Sequence, residues 1–471
     1  MLEPRPTRRT SARPAAKPHR DRSGLFAWFV AIFGLIVALA LVGYGLMRGG
    51  GDTHAAWLKL SEAMRKHNEP VYLAEMKPAD VPANQNFFAA EVFDGLTENA
   101  PTSHLLQRAA DPGNGLSVAD LLSQAQQGGG ASLEAIAVAM QRAGLVRTKT
   151  DYLLAGDRVR AGMRALGLDF APLNEAADRT DARFPIDFNQ PFPALPHLRY
   201  LEALGDWLAI RAIAQLSTGD AEDAANDLLL LARMADSLAT EPFLPSQRTR
   251  RMLLGLFAGC VRVGINWDAW SGGQLAQFGE TLSHAQLLND FAWAVRGERA
   301  QLNSMVSIAL SGKKPGASEE LQAWFGPDLT KLDARGLRAR QVAVNAAIQH
   351  FLDALTTQPL QPSALAPDKA GALPEIMKNR MQSLADDARI FAQVQTYLAQ
   401  AETACALERH RLQHGNYPEK LTALMPDLSD ALPADPLDSQ PFDYIRKPDD
   451  GFVLKGMGWT EGEPWMWTRG R

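Results

Sequence analysis

Two cysteines in 471 residues, Cys260 and Cys405, are too few for a disulfide framework and form no Cys-x-x-Cys redox or zinc arrangement. A basic surplus is also missing. Lys+Arg 48 against Asp+Glu 53 leave a net charge of −5, which argues against a nucleic-acid binder resting on a basic field. No Gly-x-Ser-x-Gly elbow, dinucleotide glycine fingerprint or kinase signature occurs, and nine scattered histidines draw no Ser-His-Asp set. The sequence therefore assigns no catalytic, cofactor-binding or metal residues. Triads assemble in space, so an envelope hydrolase hidden among helices stays an alternative. Gly 37 and Pro 29 are ordinary usage and exclude low complexity. What remains is a chain 46% apolar and 21% charged, able to bury a sizeable core.

Charge is unevenly spread. Residues 1–24 carry seven Lys/Arg against Glu3 and Asp21, a local +5 that leaves −10 for the rest, and with Pro, Thr, Ser and Ala they read as a disordered cytoplasmic arm. Residues 25–47 hold no charge; at about 1.5 Å per residue they reach ~34 Å, enough for a hydrocarbon core of about 30 Å. Thirteen of these positions are Leu, Ile, Phe or Val, worth roughly −4 to −8 kcal/mol for insertion. The run is longer than a secretory h-region and lacks a small-x-small site before Arg48, so the expectation is an uncleaved signal anchor. The positive-inside bias puts the N-terminus in the cytoplasm and the rest beyond the inner membrane, in the periplasm or an equivalent space.

Beyond the anchor the expected fold class is mostly α: a non-periodic helical array ending in a small β-hairpin on a long helix. Residues 48–100 form a juxtamembrane segment, with helices at 56–67 and 84–96 around Pro70, Pro78 and Pro82. Residues 101–374 form the array with Pro-rich loops. It includes a helical pair between 113 and 147 jointed at Gly128–Gly130. Residues 171–196 read as an ordered loop held by Phe184, Phe188 and Phe192. A hairpin at 198–217 and 221–238 turns at Thr218, Gly219 and Asp220, followed by helices at 250–263, 273–285, 287–310 and 337–355. Gly219, Ala224 and Leu228 fit a tetratricopeptide repeat, but Arg211 and Gln215 do not, and no 34-residue period recurs. Residues 375–471 hold the last helix and the tail. Leu384, Ala388, Phe391, Val394, Leu398, Ala401, Cys405 and Leu412 draw one stripe from 375 to 414, closed by Gly415. Short alternating runs at 442–445 and 452–454 around Asp450-Gly451 make the hairpin.

Few residues invite chemistry. His410 and His414 have the i, i+4 spacing of a zinc pair, yet Arg411 stands where a metalloprotease needs Glu, so a surface pair is preferred. Lys313 and Lys314 lack the spacing of a phosphate loop and read as a solvated loop. Glu298 and Arg299 either form a buried ion pair or line a cleft. Trp459, Trp465 and Trp467 either offer a binding patch or cap the array. Cys260 and Cys405 pair or stay buried as free thiols, the latter preferred.

From Ala406-Leu407-Glu408-Arg409 through Asn416-Tyr417-Pro418, Ala434-Asp435-Pro436, Phe442-Asp443-Tyr444 and Gly451-Phe452, the tail resembles the globular end of the type II secretion major pseudopilin. The pseudopilin's leader, its membrane-helix glutamate and its calcium loop have no counterpart, so polymerisation and calcium do not carry over. Asp435-Pro436 and Tyr417-Pro418 are assigned turn and packing roles. Most of the exported part is similar to a group of uncharacterised bacterial exported proteins with one N-terminal membrane helix. The likeness is carried by Glu69-Pro70-Val71-Tyr72-Leu73-Ala74-Glu75, Pro78, Val81-Pro82, Asn86, Phe184-Pro185, Leu195-Pro196-His197, Gly219-Asp220 and Gly297-Glu298-Arg299-Ala300. It implies an architecture and no activity. The functional expectation is a non-enzymatic scaffold that binds an envelope protein partner and the lipid bilayer through residues 25–47; the first alternative is an accessory component of a type II secretion or pilus-like machine.

Overall fold

A computed structural model describes residues 52–471, apart from 114, 128–129, 147–153, 312–318, 327–331, 368–372, 426–431, 449, 461 and 471. The basic arm, the apolar stretch at 25–47, the 128–129 joint and the Lys313-Lys314 loop lie outside these residues. Among the described residues no helix is long and apolar enough to cross a membrane.

The protein is mostly helical. The first helix, α1 (Thr53–Lys66), starts where Asp52 accepts hydrogen bonds from His54 N at 2.9 Å and Ala55 N at 3.2 Å. It buries Trp57, Leu60 and Met64, spaced three and four apart. After it come α2 (His104–Ala110), α3 (Val118–Gln127), α4 (Gly130–Arg142), α5 (Ala155–Ala165) and α6 (Ala171–Ala177). The central array is α7 (His197–Ser217), α8 (Ala221–Asp236), α9 (Leu244–Asn266), α10 (Gly272–Ser283) and α11 (Leu287–Leu310). Then follow α12 (Glu319–Phe325), α13 (Ala334–Thr356) and α14 (Glu375–His414).

The expected last helix has its expected bounds: α14 is forty residues, about 60 Å at ~1.5 Å per residue, and touches α9, α10, α11, α12 and α13. Phe391 on α14 stacks on Phe291 of α11 with ring centroids 4.6 Å apart, and Phe391→Ala is worth about 3–5 kcal/mol by burial and cavity. Gly415 ends α14 at φ 78°, a left-handed cap. Leu412 departs from the stripe and is exposed, because the last turn of α14 runs beyond its apolar neighbours.

Residues 84–96 are not the helix their apolar spacing predicts. They form two 3-10 turns, Phe87–Ala89 and Glu91–Phe93, with Ala90 extended between them. The cause is Asn86, whose side-chain oxygen accepts from Phe88 N and Arg183 N while its amide donates to Arg183 O, giving the backbone a partner other than a helical one. The apolar set is buried all the same. Between 171 and 196 the first seven residues are helix α6 and the remainder is coil. Phe184 and Phe188 anchor it, whereas Phe192, between Pro191 and Pro193, is 40% exposed.

The tail is a three-stranded antiparallel sheet rather than a two-stranded hairpin: β1 (Asp443–Lys447), β2 (Gly451–Lys455) and β3 (Met466–Arg469), in that spatial order. Phe452, Leu454 and Trp467 face the core; Trp467 packs on Tyr397 of α14 with centroids 4.9 Å apart.

Candidate functional site

The segments around Glu69–Glu75, Phe184-Pro185, Leu195–His197 and Gly297–Ala300 lie far apart in sequence, and they meet at one place. After α1 the chain straightens at Pro70 and crosses α11. The Glu69 carboxylate accepts Arg296 Nε at 3.0 and 2.9 Å, and Arg299 closes on the same group. Arg299 is fully buried and also donates to Gln349 Oε1 at 2.7 Å. Burial lowers its pKa from the ordinary value, and Glu69 opposes that shift. Farther along, Asn303 Nδ2 donates to Val71 O at 3.0 Å, and Leu73 N donates to Ser304 Oγ at 3.0 Å. Glu75 accepts from Val71 N at 2.8 Å and from Arg65 at 3.0 Å. On α11, Gly297 admits a second close approach, that of the segment before α9, because a Cβ there would stand 1.7 Å from Pro242 O. Beside Glu69, the Asp353 carboxyl is pushed up to about 6 by burial, with Gln349, Arg296 and Arg299 opposing.

Leu195-Pro196-His197 and Phe184-Pro185 build the adjoining cluster. His197, the first residue of α7, is fully buried; its Nε2–H reaches the two Glu241 carboxylate oxygens at 3.0 and 3.2 Å, and Ser246 of α9 donates to the same carboxylate. Phe184 stacks on the imidazole at 3.9 Å and Phe88 meets it edge-on at 5.4 Å. A cavity of about 10 Å³, room for one water, lies between Pro78, Phe188, Thr240 and Glu241. Serine, histidine and carboxylate thus come together, which sequence spacing did not announce. In a nucleophilic triad the imidazole stands between acid and hydroxyl. Here the carboxylate is central, so the serine proton has no route to His197, and the group works as a joint between residues 183–197 and 241–246.

Glu298 and Arg299 do not pair with each other. Successive residues on a helix point apart, so Arg299 turns to Glu69, and Glu298 turns to Arg380 of α14, whose guanidinium lies 5.2 Å above the Trp324 ring. His410 and His414 stack at 4.1 Å, with their Nδ1 atoms held by Asn416 O and His410 O. Among the described residues no three His, Cys, Asp or Glu side chains group as metal ligands. Cys260 and Cys405 are both free and buried; burial pushes the Cys260 thiol up to about 12 and Cys405 well above the usual range. Of the three tryptophans, Trp467 is core, and Trp459 and Trp465 are half-buried against it.

The tail residues Glu408, Tyr417 and Asp435 are consumed internally. Tyr417 donates to Glu408 Oε2 at 2.5 Å, Glu408 also takes Arg411, and Arg411 reaches Asp268 at 2.6 Å. Arg469 of β3 closes on the same Asp268. Asp435 accepts Leu437 N at 2.9 Å and Met457 N at 2.7 Å, a turn brace. Arg211 and Gln215, the misfits to a tetratricopeptide pattern, lie at the buried Asp227: Arg211 Nε donates to it at 2.7 Å across the α7–α8 hairpin.

The chain matches no protein-family model, no curated protein and no solved structure.

Proposed function

We propose that this is a membrane-anchored cell-envelope protein whose helical array is a non-enzymatic scaffold for a protein partner. Residues 25–47 hold it in the bilayer of the inner membrane, with its bulk outside the cytoplasm. The observation that carries the reading is how buried carboxylates and guanidinium groups, with their partly exposed partners, are used. Glu69 with Arg296 and Arg299, Glu241 with His197 and Ser246, Arg248 with Asp387, and Arg250 with Asp236 and Asp290 each tie elements distant in sequence to one another. Carboxylates engaged in this way hold shape. They are not poised to exchange protons with a substrate.

The tail gives a second reading its one support, a small antiparallel sheet packed on the end of a long helix. Under it the partner belongs to a type II secretion or pilus-like machine. Crosslinking in intact cells, followed by identification of what stays attached, tests both. A reproducible envelope partner supports the scaffold, and a secretion component selects the second reading. A C-terminal alkaline phosphatase fusion active only outside supports the topology, whereas a chain that crosslinks to nothing but turns over a substrate overturns the proposal.

A further inference from the structure

Residues 69–76 follow α1 and cross α11 as a strap, tied to it by Glu69, Val71 and Leu73. Behind the Glu69 tie stands a carboxyl with no place for its charge. Asp353 of α13 accepts Gln349 Nε2 at 2.9 Å on Oδ1, and Gln349 Oε1 takes Arg299 Nη1 at 2.7 Å, the same arginine that closes on Glu69. Asp353 Oδ2 is enclosed by protein and has no hydrogen-bond partner among the described residues. We infer that Asp353 is a proton-operated latch for the strap: when neutral it leaves Arg296 and Arg299 to Glu69, and when ionised it draws them away, so that rising pH frees residues 69–76 from α11.

Two carboxyls thus compete for two guanidinium groups at one joint. An enclosed oxygen without a donor disfavours the ionised form, and so does the Glu69 charge. Gln349, Arg296 and Arg299 pull the other way, but burial is the largest influence and pushes the Asp353 carboxyl up to about 6. Lifting the strap removes Glu69, admits water and leaves both arginines to Asp353, so its carboxyl returns to the ordinary range near 3.8 or below. The closed strap therefore binds the proton more tightly than the lifted one. Closure is fully favoured below about pH 4 and weakens as pH rises through 6.

Other charges on the elements packed against α13 are engaged or exposed. Arg65 in the last turn of α1 is held by Glu75, with Lys66 and His67 exposed. Glu298 of α11 is held by Arg380 of α14, and Asp387 of α14 by Arg248. Residues 362–365 carry no charge. Burial lowers the pKa of His350, the third residue before Asp353, and its protonation acts in the opposite sense, loosening the fold in acid.

The test follows amide exchange of residues 69–76 by mass spectrometry in the full-length, detergent-solubilised chain. Val71 N–H is held by Glu75 and Leu73 N–H by Ser304, so both report lifting of the strap. Protection is compared at pH 4.5, 6 and 7.5 after correction for intrinsic exchange. A difference of about two pH units between the closed and lifted states allows up to about a hundredfold change, which partial exposure of Asp353 reduces to about tenfold less protection at pH 7.5 than at 4.5. Asp353→Asn, which imitates the neutral acid, should keep its pH 4.5 protection throughout. Glu69→Gln should be less protected at every pH and show no step near 6. Constant protection in the wild type, or an Asp353→Asn chain that loses protection as steeply as the wild type, overturns the inference. Wild-type protection that rises with pH overturns it in favour of His350, and an equal fall across α10 overturns it as a global loosening. Should Asp353→Asn fail to fold, a Glu69→Gln chain that keeps the wild-type pH dependence overturns the latch, and one that loses it supports the latch.

Discussion

Replacing Glu69 with Ala removes the carboxylate on which two arginines of α11 converge. Arg296 lies half-buried and keeps access to water, but the Arg299 side chain is 1% exposed and is left with only Gln349 as a partner. Breaking a buried pair by deleting one member costs about 3–5 kcal/mol, because the surviving charge stays desolvated. Unfolding entropy near 2.1 cal/mol/K per residue over some 400 residues makes each kcal/mol worth roughly 1 °C, so the thermal midpoint should fall by about 4–6 °C. The second arm is more telling. Glu69→Met combined with Arg299→Met replaces the pair by apolar volume and should recover most of the loss, since no charge remains buried. The assay is circular-dichroism melting of the detergent-solubilised chain at several salt concentrations, where a buried pair is screened little. A single-variant loss below about 1 °C, or a double variant that melts at the sum of the two single losses, would refute the claim that this carboxylate holds the segment after α1 to the array.

Gly297→Ala should destabilise by about 3 kcal/mol or more or block folding, because the new methyl group lands on Pro242 O; a melting midpoint within about 1 °C of wild type would contradict the close approach. Maleimide should label neither Cys260 nor Cys405 in the folded protein and both in urea, so native labelling would show that the thiols are not enclosed as described. Burial pushes Glu402 up to about 7 from near 4.5, so the folded state binds its proton more tightly than the unfolded state. That stabilisation is fully present below about pH 4.5 and is lost as pH rises through 7. Glu402→Gln should therefore raise the midpoint by about 1–2 °C at pH 8, after allowance for partial exposure, and by nothing measurable at pH 4.5. An increment that is the same at both pH values would sink that account. Trp467→Ala, which empties a fully buried site against Tyr397, should cost about 3–5 kcal/mol and loosen β3; unchanged exchange at 466–469 would place Trp467 outside the core.

The helical array was legible because its apolar residues repeat at helical spacing over long runs, as in α14 and α11, where pattern and backbone agree. The 3-10 turns at 87–93 were not, since their apolar spacing imitates a helix and the deciding group, the Asn86 amide, finds its partner at Arg183. β3 left no such signal: Trp467 and Arg469 face inward and Met466 and Thr468 outward, so hydropathy does not alternate with burial, and the tail tryptophans fitted a binding patch or a cap on the array equally well. The joints of the candidate site lay beyond any local pattern. Glu69 and Arg299 are 230 residues apart, and His197 stands 44 residues before Glu241. Arg211 and Gln215 marked a departure from the repeat pattern in sequence, and Asp227 supplies its cause.

In a solenoid each unit leans only on its neighbours, so one end can melt while the other persists. The forty-residue α14 breaks that independence by lying against five helices at once. Local opening anywhere along it strips partners from several helices together, which sets a high threshold for partial unfolding and makes the array behave as one mechanical beam: a pull applied at its tail is shared among the five helices it touches.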